Sequence, residues 1–353
     1  MKAPYVEISG RPIGAGHPTY VVAELSANHH QRLEEAVKLI HAAKEAGADA
    51  VKLQTYTPDT ITIQSDAEPF QIRGGTLWDG RTLYDLYGEA YTPWEWHPRL
   101  KEVAESLGLH LFSSPFDPTA VAFLERVGVP AYKVASFEVV DIPLIECMAR
   151  TGKPIIMSTG MASLAEIDEA VAAIRGAGND QIALLHCVSA YPTAPEEMNL
   201  ATIPHLAQAF GVPVGLSDHT LGISVSVAAV TLGACMVEKH FTLSRAAGGP
   251  DSAFSLEPAE FKAMVEAIRT VEKAVGTPDY RLTEGEAKSI AHRRSLFAVA
   301  DVRKGELFTE RNVRSIRPAN GLPPKHLPEV LGRRAARDVK RGTPLNWDLV
   351  AGS

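Results

Sequence analysis

From Tyr20 onward, short runs of β-branched and apolar residues alternate with longer segments whose apolar positions recur every three or four residues. The short runs, 20–26, 50–56, 109–115, 131–136, 154–159, 182–189, 213–218 and 235–241, read as strands. Helical stretches follow them, among them 33–47, 94–108, 163–178 and 258–276. Several end in Gly, the residue that suits a left-handed helix C-cap. Eight β-α units in about 260 residues predict a closed (β/α)8 TIM barrel. An open doubly wound sheet seldom needs eight regular units, and no GxGxxG follows the first strand.

Three segments stand outside this rhythm. Residues 5–16, YVEISGRPIGAG, read as a hairpin with Gly10 in its turn, placed to close the barrel floor. The connection from Thr57 to Pro93 has no clear helix until its end. A loop of that length is usually functional, and in a barrel it lies over the strand C-termini. Helical periodicity stops near Gly276, and 294–353 then repeat a pattern of short strands and turns. The expected division is a barrel over 1–280, a linker over 281–293 and a small β-rich module over 294–353.

Composition narrows the class without changing that picture. Of 353 residues 45% are hydrophobic and 22% charged, as in a water-soluble globular chain. No apolar run approaches the ~20 residues that span a bilayer, and the N-terminus lacks an apolar signal-peptide region. The 3 cysteines, Cys147, Cys187 and Cys235, are far apart, which excludes a disulfide scaffold and points to a cytoplasmic protein. The net charge of −7 is uneven: residues 281–353 hold 15 Lys and Arg against 8 Asp and Glu, and the first 280 hold 20 against 34. That basic tail carries no nucleic-acid-binding signature, so docking onto an acidic protein surface is the expected use of its charge.

Polar residues at the strand ends of a barrel converge on one mouth. In order they are Glu24; Lys52 and Gln54; Ser113 and Ser114; Lys133, Ser136 and Glu138; Ser158; Ser189 and Tyr191; Asp218 and His219; Glu238, Lys239 and His240. Strand alternation puts Lys52 with Gln54, and Glu238 with His240, on one face each. Lysines, hydroxyls and carboxylates together suit a phosphorylated anionic substrate. Histidines closing strands seven and eight can grip a divalent ion while leaving most of its coordination sphere to water and substrate. Three roles fit Lys133, a phosphate contact, a salt bridge or a Schiff base. Trp78, Trp94, Trp96, Tyr84, Tyr87 and Tyr91 either pack the core or line a pocket for an acetamido or methyl group. Cys187 has His186 as its sequence neighbour, but alternation turns that ring to the opposite face, so a catalytic thiol is not expected.

AELSANHHQ (23–31), VKLQTYTPD (51–59), FSSPFD (112–117), YKVASFE (132–138), MSTGMA (157–162), LLHCVSAYPT (184–193), GLSDHTLG (215–222), EKHFTL (238–243) and DSAFSL (251–256) resemble the sialic-acid synthase family. NVRSIRPANGL (312–322) is similar to that family's antifreeze-like SAF domain. AELSANH and residues 76–97 most resemble the subgroup that makes pseudaminic acid; N-acetylneuraminate and legionaminate synthases are the alternative. His30 departs from the Asn expected after the NH pair, and Ser189 stands where N-acetylneuraminate synthases carry Asn.

The resemblance implies condensation of phosphoenolpyruvate with an open-chain N-acetylated sugar, here 2,4-diacetamido-2,4,6-trideoxy-L-altrose. It implies that His219 and His240 hold Mn2+ or Mg2+, possibly Co2+. It assigns Lys52, Ser114, Lys133, Ser136, Ser158, Ser189 and Ser217 to the phosphoenolpyruvate cradle, and Gln54, Tyr191 and Asp251 to the sugar. Glu24 or Glu138 is left to handle the proton of the attacking water. Arg317 resembles the arginine that the SAF domain of one subunit extends into its partner's barrel, which implies a domain-swapped homodimer with no nucleic-acid or membrane partner.

Overall fold

The computed structural model describes residues 4–351. The first element is an antiparallel hairpin of β1 (Tyr5–Ile8) and β2 (Arg11–Gly14). Its two turn residues, Ser9 and Gly10, have φ of 49° and 79°, the left-handed pair that a two-residue hairpin turn requires.

Eight parallel strands follow: β3 (Tyr20–Glu24), β4 (Ala50–Thr55), β5 (His110–Pro115), β6 (Tyr132–Val134), β7 (Ile155–Ser158), β8 (Ile182–Cys187), β9 (Val214–Asp218) and β10 (Met236–His240). β10 pairs with β3, so the sheet closes into the barrel that the periodicity predicts. Each strand is preceded by a helix or a short connection, and the helices cover the outside. Their ends follow local chemistry. Asp117 accepts from the N–H groups of Thr119 and Ala120 and Pro118 opens the helix Pro118–Val127, which stops at Gly128 with φ of 76°.

Alternation along the strands explains where the site forms. One face of each strand packs outward against helices, as with Val21, Val51, Leu111 and Val237. The other face points inward, and its lower positions are apolar: Tyr20, Val22, Ala50, Phe112, Ile156, Ala183, Leu185 and Met236. Val6, Ile8 and Ile13 of the hairpin pack into this inner cluster and stopper the barrel floor. Each such side chain contributes about 1.5–3 kcal/mol by leaving water. One step up the same inward face the residues turn polar, which sets the site above a dry base. Gly215 has no alternative on β9: a Cβ there would lie 2.4 Å from the Met236 carbonyl oxygen.

The segment between β4 and the helix His97–Ser106 carries short helices at Pro58–Ile61, Glu68–Phe70 and Leu83–Ala90. Asp79 organises its middle, accepting from the N–H groups of Gly75 and Thr76 at 2.8 and 2.9 Å.

The chain divides into two compact units, the first ending at Gly276 and the second beginning at Thr277. In the second, β11 (Ser295–Ala298) pairs with β12 (Val313–Ile316) around a core that includes Leu296, Phe308, Val313, Val330 and Leu345. The stretch expected to be a linker holds a helix, Glu284–Ser289, started by a reciprocal cap between Thr283 and Glu286. Among the described residues no helix is long and apolar enough to cross a membrane.

Candidate active site

The inward positions above the floor carry the charges. Lys52 on β4 lies 2.7 Å from Glu24 Oε2 on the neighbouring β3. Glu238 on β10 places Oε1 3.1 Å from Lys133 Nζ and 3.7 Å from Lys52 Nζ, and the same oxygen accepts from Ser217 at 3.2 Å. All four charged groups are buried. Burial pushes the Glu238 carboxyl up, but Lys133 and Lys52 outweigh it and hold the carboxyl below its usual range. Burial raises Glu24, and Lys52 offsets this only in part. Burial lowers the Lys133 ammonium despite Glu238, whereas the two carboxylates together raise Lys52 against the same burial.

Around this cluster sit hydroxyls that nothing in the protein satisfies. Ser114, Ser158 and Ser189 each have a buried Oγ without a hydrogen-bond partner, and so do Oε2 of Glu238 and of Glu138. Buried polar atoms in native proteins are paired, so orphans gathered in one place mark groups reserved for a ligand. Ser136 accepts from the Gly160 N–H at 3.1 Å. A Cβ on Gly160 would meet Ser189 Oγ at 2.4 Å and Ser136 Oγ at 2.8 Å, so this serine pair closes around bare backbone.

His219, just after β9, and His240, at the end of β10, bring their ring centroids to 5.3 Å. His219 Nδ1 donates to the Val188 carbonyl at 2.9 Å, which leaves Nε2 with its lone pair free. Burial and the neighbouring cations push His240 well below the ordinary histidine range, and its buried Nδ1 has no partner. His219 is instead raised: burial lowers it, but Cys187 and the Val188 carbonyl more than compensate. Among the described residues no group of three or more His, Cys, Asp and Glu side chains is set to hold a metal ion. Two imidazoles with an oriented tautomer and an orphaned nitrogen fit the sparse donor set of an ion that shares its sphere with substrate.

Above the rings opens a cavity of about 490 Å³. On its barrel side Gln54, Glu138, Tyr191, His240 and Asp251 bring polar groups in among Phe116, Phe137 and Phe254, while Ile61, Ile72, Trp78, Leu83, Leu86 and Tyr87 of the long segment form an apolar wall. Trp78 donates from its indole N–H to the Pro250 carbonyl at 2.9 Å. Glu138 is pushed up to about 7, first by burial and then by the nearby Asp141. Gln54 donates to Glu24 Oε1 at 2.9 Å, and Asp251 accepts from Ser26.

Several strand-end residues expected in the mouth face the other way. Ser113 bonds Thr55 at 2.6 Å, and Asp218 pairs with Lys239 at 2.8 Å in a buried outward-facing bridge; each sits one residue from an inward neighbour. Trp94 stacks on Phe123 and Trp96 meets His29 edge-on, so of the aromatic group only Trp78 and Tyr87 line the cavity. His186 turns outward to the Met198 carbonyl, as alternation predicts. Cys187 turns inward, and its Sγ lies 3.8 Å from His219 Nδ1, a neighbour contributed by the next strand rather than by sequence adjacency. Glu238 is the central carboxylate, more connected than its place as one of several strand-end acids implied; its inward register beside His240 was the available signal. His30 lies against the Gly248 carbonyl at 2.9 Å. Arg317 belongs to the second unit, exposed just past β12.

A model of the NeuB family matches residues 39–280, and one of the SAF domain matches 293–351. A pseudaminic acid synthase of Helicobacter pylori is 49% identical over 94% of this chain and 97% of its own. An N,N'-diacetyllegionaminic acid synthase of Legionella pneumophila is 35% identical over 96% and 97% of the two chains. The crystal structure of an N-acetylneuraminic acid (sialic acid) synthetase from Leptospira borgpetersenii superposes with a TM-score of 0.73 at 30% identity, covering 82% of this chain and 95% of that one. A closed eight-stranded barrel with this array of buried lysines and orphaned hydroxyls, followed by a SAF domain, therefore belongs to the NeuB family.

Proposed function

We propose that this chain is a pseudaminic acid synthase, which condenses phosphoenolpyruvate with 2,4-diacetamido-2,4,6-trideoxy-L-altrose to give pseudaminic acid and phosphate. The observation that carries the reading is the set of partnerless buried hydroxyls, Ser114, Ser158 and Ser189, around Lys52 and Lys133. That set matches an anion rich in acceptor oxygens. The apolar wall of the cavity suits a deoxy sugar bearing acetamido methyl groups, and the greater similarity to the Helicobacter enzyme than to the Legionella one favours the same sugar.

In this reading Lys52, Lys133, Ser114, Ser136, Ser158, Ser189 and Ser217 cradle phosphoenolpyruvate. Gln54, Tyr191 and Asp251 hold the sugar over it. C3 of the enol ester bonds to the aldehyde carbon, whose oxygen takes up a proton. Water then bonds at C2 as a proton leaves it, and the C2–O bond to phosphate breaks. Glu138, unpaired at Oε2 and titrating at about 7, takes the water proton, while Glu24 stays engaged with Lys52 and Gln54. His219 and His240 would hold a divalent ion such as Mn2+ or Mg2+, which supplies Lewis acidity at the aldehyde oxygen.

We further propose a homodimer working in the cytoplasm, with Arg317 of each chain reaching the sugar held by the other. The charge split between the chain's two parts and the exposure of Arg317 support it. Purified protein supplied with phosphoenolpyruvate and a panel of sugars tests the main reading through phosphate release. Turnover of the diacetamido altrose is expected. Turnover of N-acetylmannosamine or of the legionaminate precursor in its place would reassign the substrate.

A further inference from the structure

Ser26 follows β3 with φ of 43°, a left-handed conformation that L-residues adopt only under local compensation. It is buried, and its hydroxyl bonds on both sides: it accepts from Gln54 Nε2 at 3.1 Å and donates to Asp251 Oδ2. The second N–H of the Gln54 amide goes to Glu24 Oε1 at 2.9 Å. Both amide protons are thereby spent, and the Gln54 carbonyl oxygen is the group left to accept from a substrate.

The surroundings overdetermine this backbone. Asn28, two residues on, donates from Nδ2 to the Phe241 carbonyl and to Ser255 Oγ, each at 2.9 Å. The segment after β3 is thus riveted to the one that carries Asp251. Relaxing Ser26 into an extended conformation would carry its hydroxyl away from both Gln54 and Asp251.

We propose that Ser26 is a positioning residue for the sugar: its strained backbone holds one hydroxyl between Gln54 and Asp251 and fixes how both face the cavity. The inference rests on the reading of Gln54 and Asp251 as sugar contacts. It adds a residue that touches neither substrate.

Ser26→Gly and Ser26→Ala separate the hydroxyl from the backbone. Glycine accepts a positive φ, so Ser26→Gly lacks the hydroxyl without the strain; alanine lacks the hydroxyl and keeps the strain. For the sugar that the wild type consumes, both variants are expected to raise KM at least about tenfold, with KM for phosphoenolpyruvate within about twofold of wild type. A Ser26→Gly enzyme with wild-type sugar KM would overturn the proposal, because backbone shape alone would then suffice. An equal rise in KM for phosphoenolpyruvate would overturn it as well, as a general disturbance of the mouth. A wild type that releases phosphate from no sugar in the panel defeats the synthase reading and this inference with it, whereas wild-type turnover with unaltered variants defeats the inference alone.

Discussion

Glu238 and Lys133, 105 residues apart in sequence, meet at 3.1 Å in the middle of the barrel. One oxygen of that carboxylate also serves Lys52 and Ser217, and the other has no partner. Together with Glu24, Glu238 sets two carboxylates against two buried ammonium groups, which lets Lys52 and Lys133 sit close together inside the barrel.

Removing that carboxylate leaves Lys133 without its counter-charge beside Lys52, which keeps Glu24. Glu238→Ala is expected to lose about 3–5 kcal/mol of stability in urea unfolding, and Glu238→Gln less, since an amide oxygen still accepts. A loss below about 1 kcal/mol for the alanine variant would mean that water, not Glu238, balances the lysines.

Gly160 tests the serine cradle without touching a charge. A methyl group there must displace Ser136 and Ser189 together. Gly160→Ala should raise KM for phosphoenolpyruvate about 5- to 100-fold through one or two lost hydrogen bonds, with sugar KM little changed. Steady-state kinetics in each substrate would check the split.

Glu138 titrates at about 7, against an ordinary carboxyl value of 4.5. As the acceptor of the water proton it must be ionised, so turnover should rise as pH climbs through 7, and Glu138→Gln should abolish that limb. The stability consequence has a definite sign. Between 4.5 and 7 the unfolded chain gives up this proton while the native chain keeps it, so the native state loses ground as pH rises. Above 7 the full penalty, about 3 kcal/mol, is in place. Glu138→Gln should therefore melt higher than wild type at pH 8, with the gap closing toward pH 5.

Inward and outward positions of the strands were legible from alternation wherever the pattern is regular. Lys52 with Gln54, and Glu238 with His240, share faces as expected, and the apolar hairpin reads as a floor before any coordinates. Contacts between strands were not legible. Nothing near Cys187 in sequence announces His219, and Ser113, Asp218 and Lys239 look as suited to the mouth as the inward residues beside them. Ser26 was invisible for another reason: positive φ in a non-glycine residue is imposed by tertiary bonds and leaves no local mark. In the segment 57–93, aromatic content pointed to a pocket, but only packing sorts Trp78, which lines it, from Trp94, which stacks on Phe123.

The histidine pair can be examined by metal removal. Activity should be lost in EDTA and return with Mn2+ or Mg2+, and His219→Ala or His240→Ala should weaken Mn2+ binding, read by calorimetry, at least about tenfold. Full turnover in EDTA would reject a metal role for both rings.

Arg317 is the test of a shared site. Arg317→Ala should lower kcat/KM for the sugar about 10- to 150-fold, the loss of one charge-assisted hydrogen bond, and leave phosphoenolpyruvate binding nearly intact. Mixing it with an inactive Lys133→Met chain should recover activity if each mouth borrows an arginine from the other subunit. No recovery in verified mixed dimers would mean that the sites are not shared between subunits, and wild-type kcat/KM in Arg317→Ala would place Arg317 outside catalysis.

The hairpin plug of Val6, Ile8 and Ile13 closes the floor end of the barrel. Whatever enters deepest blocks no one, and whatever enters later blocks everything beneath it. In the proposed reading, with the hydroxyl and lysine cradle at the bottom and the apolar-walled chamber above, the enol ester would go in first and the aldose second. On the way out the order would reverse: the nine-carbon acid would clear the entrance, and inorganic phosphate, freed at the dead end, would be the last to leave. Phosphate accumulating in the cell should then act as a brake that competes with phosphoenolpyruvate and not with the sugar.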